Sequence, residues 1–243
     1  MPRARLARKH PFDAPWRAEP AGSSNDGLNR DRIVKVAMEM ADADGWESGV
    51  SMRRLATRLG STPMALYWYV ADRSELLDLV LDAVEGEVSL PVAGDDWRED
   101  LQALFGELRT VLLRHTWLAP LVSTRPNRGP NAVRSIDWAL GALRRGGLSV
   151  LDAWVAFEVL VRYVVGSVVD EVGPLVDLGR LGMDAEQAAD LMRAHLEAES
   201  AERFPFYAAA LREMRLQPRA SAEAEQDAFR RGLSWLLAGL DRN

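Results

Sequence analysis

Apolar residues recur every three or four positions along most of the chain, which is the spacing of one helix face. An early example is a stripe that ends at Gly45 and is formed by Ile33, Ala37, Met40 and Ala41. No segment alternates convincingly between apolar and polar residues at a period of two, as a half-buried strand would. The pattern therefore predicts an all-α protein of roughly ten helices.

Several predicted helices begin at residues that can cap exposed amide groups. Ser51 precedes one short helix, and Thr62 precedes Pro63, whose fixed φ angle suits the first helical position. Asp72 and Glu75 have the spacing of a capping box and predict the start of a further apolar helix.

The remaining periodic segments predict helices towards the C-terminus. They cover residues 96–115, 117–122, 130–145, 149–171, 184–199 and 221–240. The helix over 149–171 is apolar almost all round, so we expect it to be buried on more than one side.

The stretch STPMALYWYV, residues 61–70, has three consecutive aromatic residues on a very short predicted helix. On a helical wheel Leu66 and Val70 point the same way, which we interpret as inward. Trp68 then lies on the opposite face, flanked by Tyr67 and Tyr69. Trp68 either packs against another helix of the same chain or faces a binding partner.

The preceding helix favours a partner. Its residues Ala56 and Gly60 are small, as two steeply crossing short helices require at their contact and turn. Such a helix-turn-helix unit places its second helix in the major groove of DNA. Tyrosine hydroxyls and the tryptophan N–H can donate hydrogen bonds to phosphate oxygens there.

Residues 29–88 resemble the DNA-binding segment of regulators of the tetracycline repressor (TetR) family. The resemblance rests on the motifs D-G-W, S-M-R-R-L-A-T-R-L-G, A-L-Y-W-Y-V and R-S-E-L-L-D. Weaker matches follow, among them D-D-W-R-E-D, S-T-R-P and F-R-R-G-L-S-W-L-L-A-G-L. The resemblance implies a three-helix helix-turn-helix domain over 29–75, a linking helix over 73–88, and a ligand-binding and dimerisation domain over 76–243.

The resemblance also implies which residues contact DNA. They lie at the start of the second helix, along the third and at the start of the fourth: Ser51, Arg53, Thr62, Pro63, Met64, Ala65, Tyr67, Trp68, Tyr69 and Arg73. Arg53 could read a guanine edge or hold a phosphate, and Arg73 is better suited to a phosphate. Arg54 and Arg58 are expected to be solvated surface charges.

Residues 1–28 predict a flexible basic arm, since Arg3, Arg5, Arg8 and Lys9 are followed by proline, glycine and serine without periodicity. The arm is either a solubilising tail or a segment that enters a neighbouring minor groove. Residues 1–73 carry 12 basic and 9 acidic side chains, whereas the remainder carries 18 and 27. This asymmetry predicts that the N-terminal part of the protein binds an anion.

By the same resemblance, the helix over 149–171 and the last helix form a homodimer, which sets two recognition helices about 34 Å apart. An effector pocket lies between the preceding helices. Its candidate residues, each of which can equally be core packing, are Leu104, Leu108, Trp117, Leu121, Arg125, Trp138, Phe157 and Val161. Arg125 stands out because an interior arginine needs an anionic or carbonyl partner.

The effector is predicted to differ from the tetracycline–magnesium complex that the tetracycline repressor holds through histidines. The matching positions here are Ser89 and Leu121, and the chain has only His10, His115 and His195. A bulky, largely apolar or aromatic effector suits the tryptophan and phenylalanine content better. No metal or other cofactor is predicted.

The composition is that of a soluble globular protein, with 48% hydrophobic and 27% charged residues. The absence of cysteine excludes thiolate sites and is compatible with the cytoplasm. The most apolar run, residues 150–169, contains Asp152, Glu158 and Arg162, so no membrane span is expected.

Enzyme motifs are absent from the sequence: there is no paired Glu-x-x-His, no glycine-rich phosphate loop and no nucleophile elbow. We therefore expect no enzyme. The predicted function is that of a ligand-responsive repressor, which binds a palindromic operator as a homodimer and is released by its effector. The alternatives are a ligand-blind DNA-binding regulator and an all-α small-molecule-binding protein or enzyme.

Overall fold

The computed structural model describes residues 28–122, 125, 128–181, 203–216 and 222–240, and these ranges contain helices and no strand. The predicted all-α class is confirmed. The helices are α1 (Arg30–Asp44), α2 (Trp46–Gly49), α3 (Met52–Arg58), α4 (Pro63–Leu66), α5 (Arg73–Glu85), α6 (Trp97–Arg114), α7 (Ala119–Val122), α8 (Pro130–Arg145), α9 (Val150–Leu181), α10 (Pro205–Leu216) and α11 (Ala222–Ala238). None of these helices is long and apolar enough to cross a membrane.

The predicted caps are present at the starts of α3, α4 and α5. The Ser51 hydroxyl accepts a hydrogen bond from the Arg54 amide, and the Thr62 hydroxyl accepts one from the Ala65 amide. Before α5, Asp72 accepts from the Glu75 amide at 2.7 Å, while the Glu75 carboxylate accepts from the Ala71 amide. Ser51, Thr62 and Asp72 thus bond first-turn amides that have no partner within their own helix.

Three helices differ from the prediction. The short helix α2 was not predicted, and neither was α10, which begins at Pro205 in the first helical position. Helix α9 ends at Leu181 rather than near 171, because it continues through Gly173 and Pro174, two residues that ordinarily end a helix. The predicted helix over 184–199 lies outside the described residues.

The chain divides into two compact units, Met1–Val165 and Gly166–Asn243. In the first, α1, α3, α4 and α5 contribute Ile33, Leu55, Leu66 and Leu76, all with no exposed surface. In the second, the buried apolar residues are Val168, Ala208, Phe229, Leu233 and Leu237. Burial of such side chains is the main favourable term that holds each unit together.

Helices α5 and α8 are joined by one carboxylate. Asp82 of α5 accepts hydrogen bonds from the amides of Asn131 and Ala132, each at 3.1 Å, at the start of α8. The Asn131 side chain donates in return to the Asp82 backbone carbonyl at 3.0 Å. Burial raises the pKa of Asp82, although the two amide hydrogen bonds oppose that shift, and burial also raises the pKa of Glu85.

Gly129 is the residue that permits this close approach. A Cβ atom on Gly129 would lie 2.0 Å from the Asp82 carboxylate, which could not move aside without leaving the start of α8. We therefore expect Gly129→Ala to lower the free energy of unfolding by about 1–3 kcal/mol. Urea denaturation followed by circular dichroism measures it.

Gly141 provides the matched control. It lies within α8, and a Cβ atom there would meet nothing within 4 Å. Because glycine weakens a helix interior, Gly141→Ala should raise the free energy of unfolding by about 0.5–1 kcal/mol. Equal effects of the two substitutions would contradict the described contact between Gly129 and Asp82.

Candidate nucleic-acid interface

The outer face of α4 and of the turn that follows it is apolar, aromatic and exposed. Leu66 and Val70 are buried at 0% and 1% exposure, whereas Met64 and Trp68 are exposed at 72% and 63%. Tyr67 is exposed at 40%. The predicted outward orientation of Trp68 is confirmed, and its contact with DNA stays a prediction.

The turn between α3 and α4 has the geometry that a tight connection requires. Gly60 has a φ of 66°, a left-handed conformation that glycine adopts without a steric penalty. The Ser61 amide donates to the Ala56 carbonyl at 2.9 Å, and Ala56 itself is buried. The small residues noted in the sequence therefore lie at this turn.

Arg30 of α1 fixes the far end of the exposed face. Its Nε and Nη2 atoms donate to the Tyr69 carbonyl at 3.3 and 3.2 Å. Sequence analysis did not single out Arg30, because its acceptor is a backbone oxygen that no motif reports.

Arg73, expected from the family resemblance to contact DNA, uses its donors within the protein. Nε donates to the Val50 carbonyl at 3.0 Å, and Nη2 donates to the Trp46 carbonyl at 2.9 Å and to Glu47 at 3.0 Å. The guanidinium carbon lies 5.2 Å from the centre of the Trp46 ring. Arg73 thus fastens the start of α5 to the segment that leads into Ser51.

The predicted DNA-contacting residues lie at the start of α3, along α4 and its following turn, and at the start of α5. Arg53, Thr62 and Pro63 are exposed, and Ser51, Ala65, Tyr69 and Arg73 are partly exposed. Residues 51–73 contain four arginines and one acidic side chain, Asp72, so the net charge of this surface favours an anion. Arg54 is bonded to Asp44 at 2.7 Å and to the Ser48 carbonyl.

The arm residues Arg3, Arg5, Arg8 and Lys9 lie outside the described residues.

Helices α6 and α9 bring some of the predicted effector residues near an aromatic cluster. Phe157 lies 6.5 Å from Phe105 and 6.1 Å from Trp154, measured between ring centres. The predicted residues Leu104 and Leu108 lie on α6 beside Phe105 in sequence, with Leu104 buried, and Val161 lies on α9 one turn beyond Phe157.

The other predicted effector residues lie elsewhere. Trp117 donates to Asp42 of α1 at 2.8 Å and stacks on Trp46. Arg125 donates to Asp78 at 2.5 Å and to Ser74, both on α5. Leu121 lies on α7, and Trp138 lies on α8 with the Arg145 guanidinium 6.0 Å from its ring centre.

Arg109 was missed by sequence analysis. It is 4% exposed on α6, and its charge lowers the pKa of Tyr163 on α9, which burial raises more strongly. The signal was available, because Leu101, Phe105 and Leu112 form an apolar stripe that Arg109 interrupts.

Among the described residues no histidine and carboxylate group is arranged to hold a metal ion.

Comparison with known proteins gives concordant matches. A family model described as tetracyclin repressor-like, C-terminal domain, matches residues 90–243. A helix-turn-helix transcriptional regulator of Saccharopolyspora erythraea is 44% identical over 63% of this chain and 65% of its own length. The transcriptional repressor DrrR1 of Streptomyces coeruleorubidus is 39% identical over 61% of this chain and 55% of its own length. This chain thus matches less than two thirds of each of these relatives.

A solved structure covers more of the chain. The TetR family protein ActR of Streptomyces coelicolor, in complex with actinorhodin, has a TM-score of 0.72 at 32% identity. The match covers 88% of this chain and 96% of ActR.

Because Arg73 is hydrogen-bonded within the protein, its removal is expected to destabilise the fold more than removal of an exposed arginine does. Arg73→Ala should lower the free energy of unfolding by about 1–3 kcal/mol, because it leaves two backbone carbonyls without these donors. Arg58→Ala, an exposed change on α3, should alter it by less than about 0.5 kcal/mol. Thermal and urea unfolding measure both, and an unchanged Arg73→Ala protein would contradict the structural role.

Proposed function

The chain belongs to the tetracycline repressor family of transcriptional regulators, and on this basis we propose that it is a repressor that binds a palindromic operator as a homodimer and is released by a small, largely apolar or aromatic effector. It acts in the cytoplasm, where it meets DNA. Its relatives are regulators rather than enzymes.

The observation that carries the DNA-binding proposal is the exposed face formed by Met64, Tyr67 and Trp68. Because Trp68 and Met64 are exposed, they do not contribute the hydrophobic free energy that their burial would give the folded chain. Their exposure therefore has no benefit for the stability of a single chain. In a major groove the rings cover sugars and thymine methyl groups while the polar edges donate to phosphates. Arg53, exposed on α3, supplies a donor for a guanine edge or a phosphate.

An exposed apolar stripe on α9 supports the homodimer. Leu151, Val155 and Val159 lie one turn apart on one face and are exposed at 72%, 52% and 43%. A second copy of the chain would remove this stripe from water and set two α4 helices one DNA turn apart, about 34 Å.

The aromatic cluster of Phe105, Trp154 and Phe157 supports an aromatic effector near α6 and α9. ActR, a protein similar to this chain, is known in complex with actinorhodin. For release, the effector must bind the DNA-incompetent arrangement more tightly than the DNA-binding one. A ligand-blind regulator is the alternative.

Selection of duplexes from a random DNA library tests DNA binding directly. The selected sequences should be palindromic, and Trp68→Ala should weaken binding to the selected duplex about tenfold or more, equivalent to ~1.4 kcal/mol. Its folding stability should change by less than about 0.5 kcal/mol, because the side chain is largely exposed. Phe206→Ala, which removes a side chain that is 90% exposed on α10, is the control and should leave affinity unchanged.

The arginines of α3 offer a second matched pair. Arg53→Ala should reduce discrimination between the selected duplex and a mismatched one by about 1–3 kcal/mol, whereas Arg58→Ala should leave that discrimination unchanged. Competition binding at fixed salt concentration measures both. Failure to select any duplex at low ionic strength would overturn the DNA-binding proposal.

Actinorhodin and a library of aromatic compounds serve as probes of the effector site. A binding compound should raise the unfolding temperature, by mass action, and release the selected duplex at the same concentrations. If no compound in an aromatic library does either, the ligand-blind alternative is favoured.

A further inference from the structure

The beginning of α4 presents an apolar surface to solvent. Met64 is 72% exposed there, and its neighbours Pro63 and Ala65 are exposed and partly exposed. None of these three side chains has an N–H or O–H group to donate, and the Met64 thioether is only a weak acceptor. Whatever binds this surface is therefore recognised through apolar contact.

The hydroxyl groups nearest this surface bond the backbone of their own helices. The Thr62 hydroxyl accepts from the Ala65 amide at 3.2 Å, and the Thr57 hydroxyl on α3 donates to the Arg53 carbonyl at 3.1 Å. These bonds engage both hydroxyls locally. The longest side chain at the beginning of α4 is the apolar Met64.

The bases of DNA differ in what they offer to an apolar side chain. A recognition helix contacts base edges with residues near its beginning. In the major groove guanine, cytosine and adenine present hydrogen-bonding groups, whereas thymine also presents its C5 methyl group. An apolar side chain that covers a hydrogen-bonding group removes water without replacing the bond, which is unfavourable. Contact with a methyl group buries apolar surface of both partners, so thymine is the base that suits Met64.

The surroundings of Met64 complement a duplex. Arg53 and Arg58 are exposed on α3, and residues 51–73 carry four arginines and one acidic side chain. Positive charge beside an apolar surface matches phosphates beside thymine methyl groups. Methionine is unbranched and adapts its shape to irregular surfaces, so the Met64 side chain can follow a methyl group on the groove floor.

We propose that Met64 is a specificity-determining residue that contacts the C5 methyl group of a thymine in each half-site of the operator. This inference rests on the proposed function and narrows the DNA sequences that the protein recognises. Burial of one methyl group strengthens binding about fourfold, and the two separate half-sites of a palindrome together strengthen it about fifteenfold.

Deoxyuridine tests the proposal, because it pairs as thymidine does but lacks the C5 methyl group. Each thymidine of the selected duplex is replaced in turn, and affinity is measured by fluorescence anisotropy at constant salt concentration. At least one position should show a loss of about fourfold when replaced in one half-site and about fifteenfold when replaced in both. Losses below about twofold at every thymidine, or selected half-sites without thymidine, would overturn the proposal.

Substitutions of Met64 show whether this side chain contacts the methyl group. Met64→Ala should bind the unsubstituted duplex more weakly and lose less than about twofold on deoxyuridine replacement at the same positions, whereas Met64→Leu, which keeps the apolar bulk, should retain most of the loss. Trp68→Ala is the matched control, since it should weaken binding but keep the full loss. Both side chains are exposed, so the variants should fold, which circular dichroism checks. A full loss in Met64→Ala would overturn the proposal.

5-Methylcytosine provides the converse test. Replacing the contacted T·A pair with C·G should weaken binding, and a C5 methyl group on that cytosine should restore about fourfold per half-site in the wild type but not in Met64→Ala. No restoration in the wild type would contradict the proposal. A protein that selects no duplex refutes the proposed function and this inference with it. A selected duplex that is bound equally well with deoxyuridine refutes the role of Met64 alone.

Discussion

The single-turn helix α4 depends on tertiary contacts, because four residues cannot form a stable helix alone. Leu66 on its inner face is fully buried, Thr62 caps its start, and Arg30 donates to the carbonyl of Tyr69 just beyond its end. These contacts are made by the inner face and the ends of α4. The side chains on its outer face are therefore not needed to hold the helix in place. The inward-facing positions are occupied by buried side chains such as Leu66 and Val70. Met64 and Trp68 therefore lie on the outer face and are exposed.

The same division between inner and outer roles explains the basic residues. Arg30, Arg54 and Arg73 donate to backbone carbonyls or carboxylates and set the geometry of the helix-turn-helix unit. Arg53 is exposed on α3, and its contact with a nucleic acid is a proposal. Arg73, which has the sequence position of a family DNA contact, fastens the start of α5 to the segment that leads into α3.

Local features of the fold were predictable from sequence, because caps and helix faces depend on neighbours within a few residues. Ser51, Thr62 and Asp72 cap as expected, and Trp68 faces outward as expected. The polar contacts between distant segments were not predictable: Trp117 bonds a residue 75 positions away, Arg125 one 47 away, and Arg73 one 27 away. No periodicity or motif encodes such a pair, since each depends on how whole helices pack. For the same reason sequence analysis emphasised Arg125 as an interior arginine, whereas the buried arginine of α6 is Arg109.

The central claim is that the outer face of α4 enters the major groove in both halves of a dimer. Methylation of guanine N7, which lies in the major groove, tests this most directly when interference is mapped along both strands of a bound duplex. The account predicts two clusters of interfering guanines, about 10 base pairs apart on one face of the helix. A single cluster, or interference confined to minor-groove modification, would contradict it.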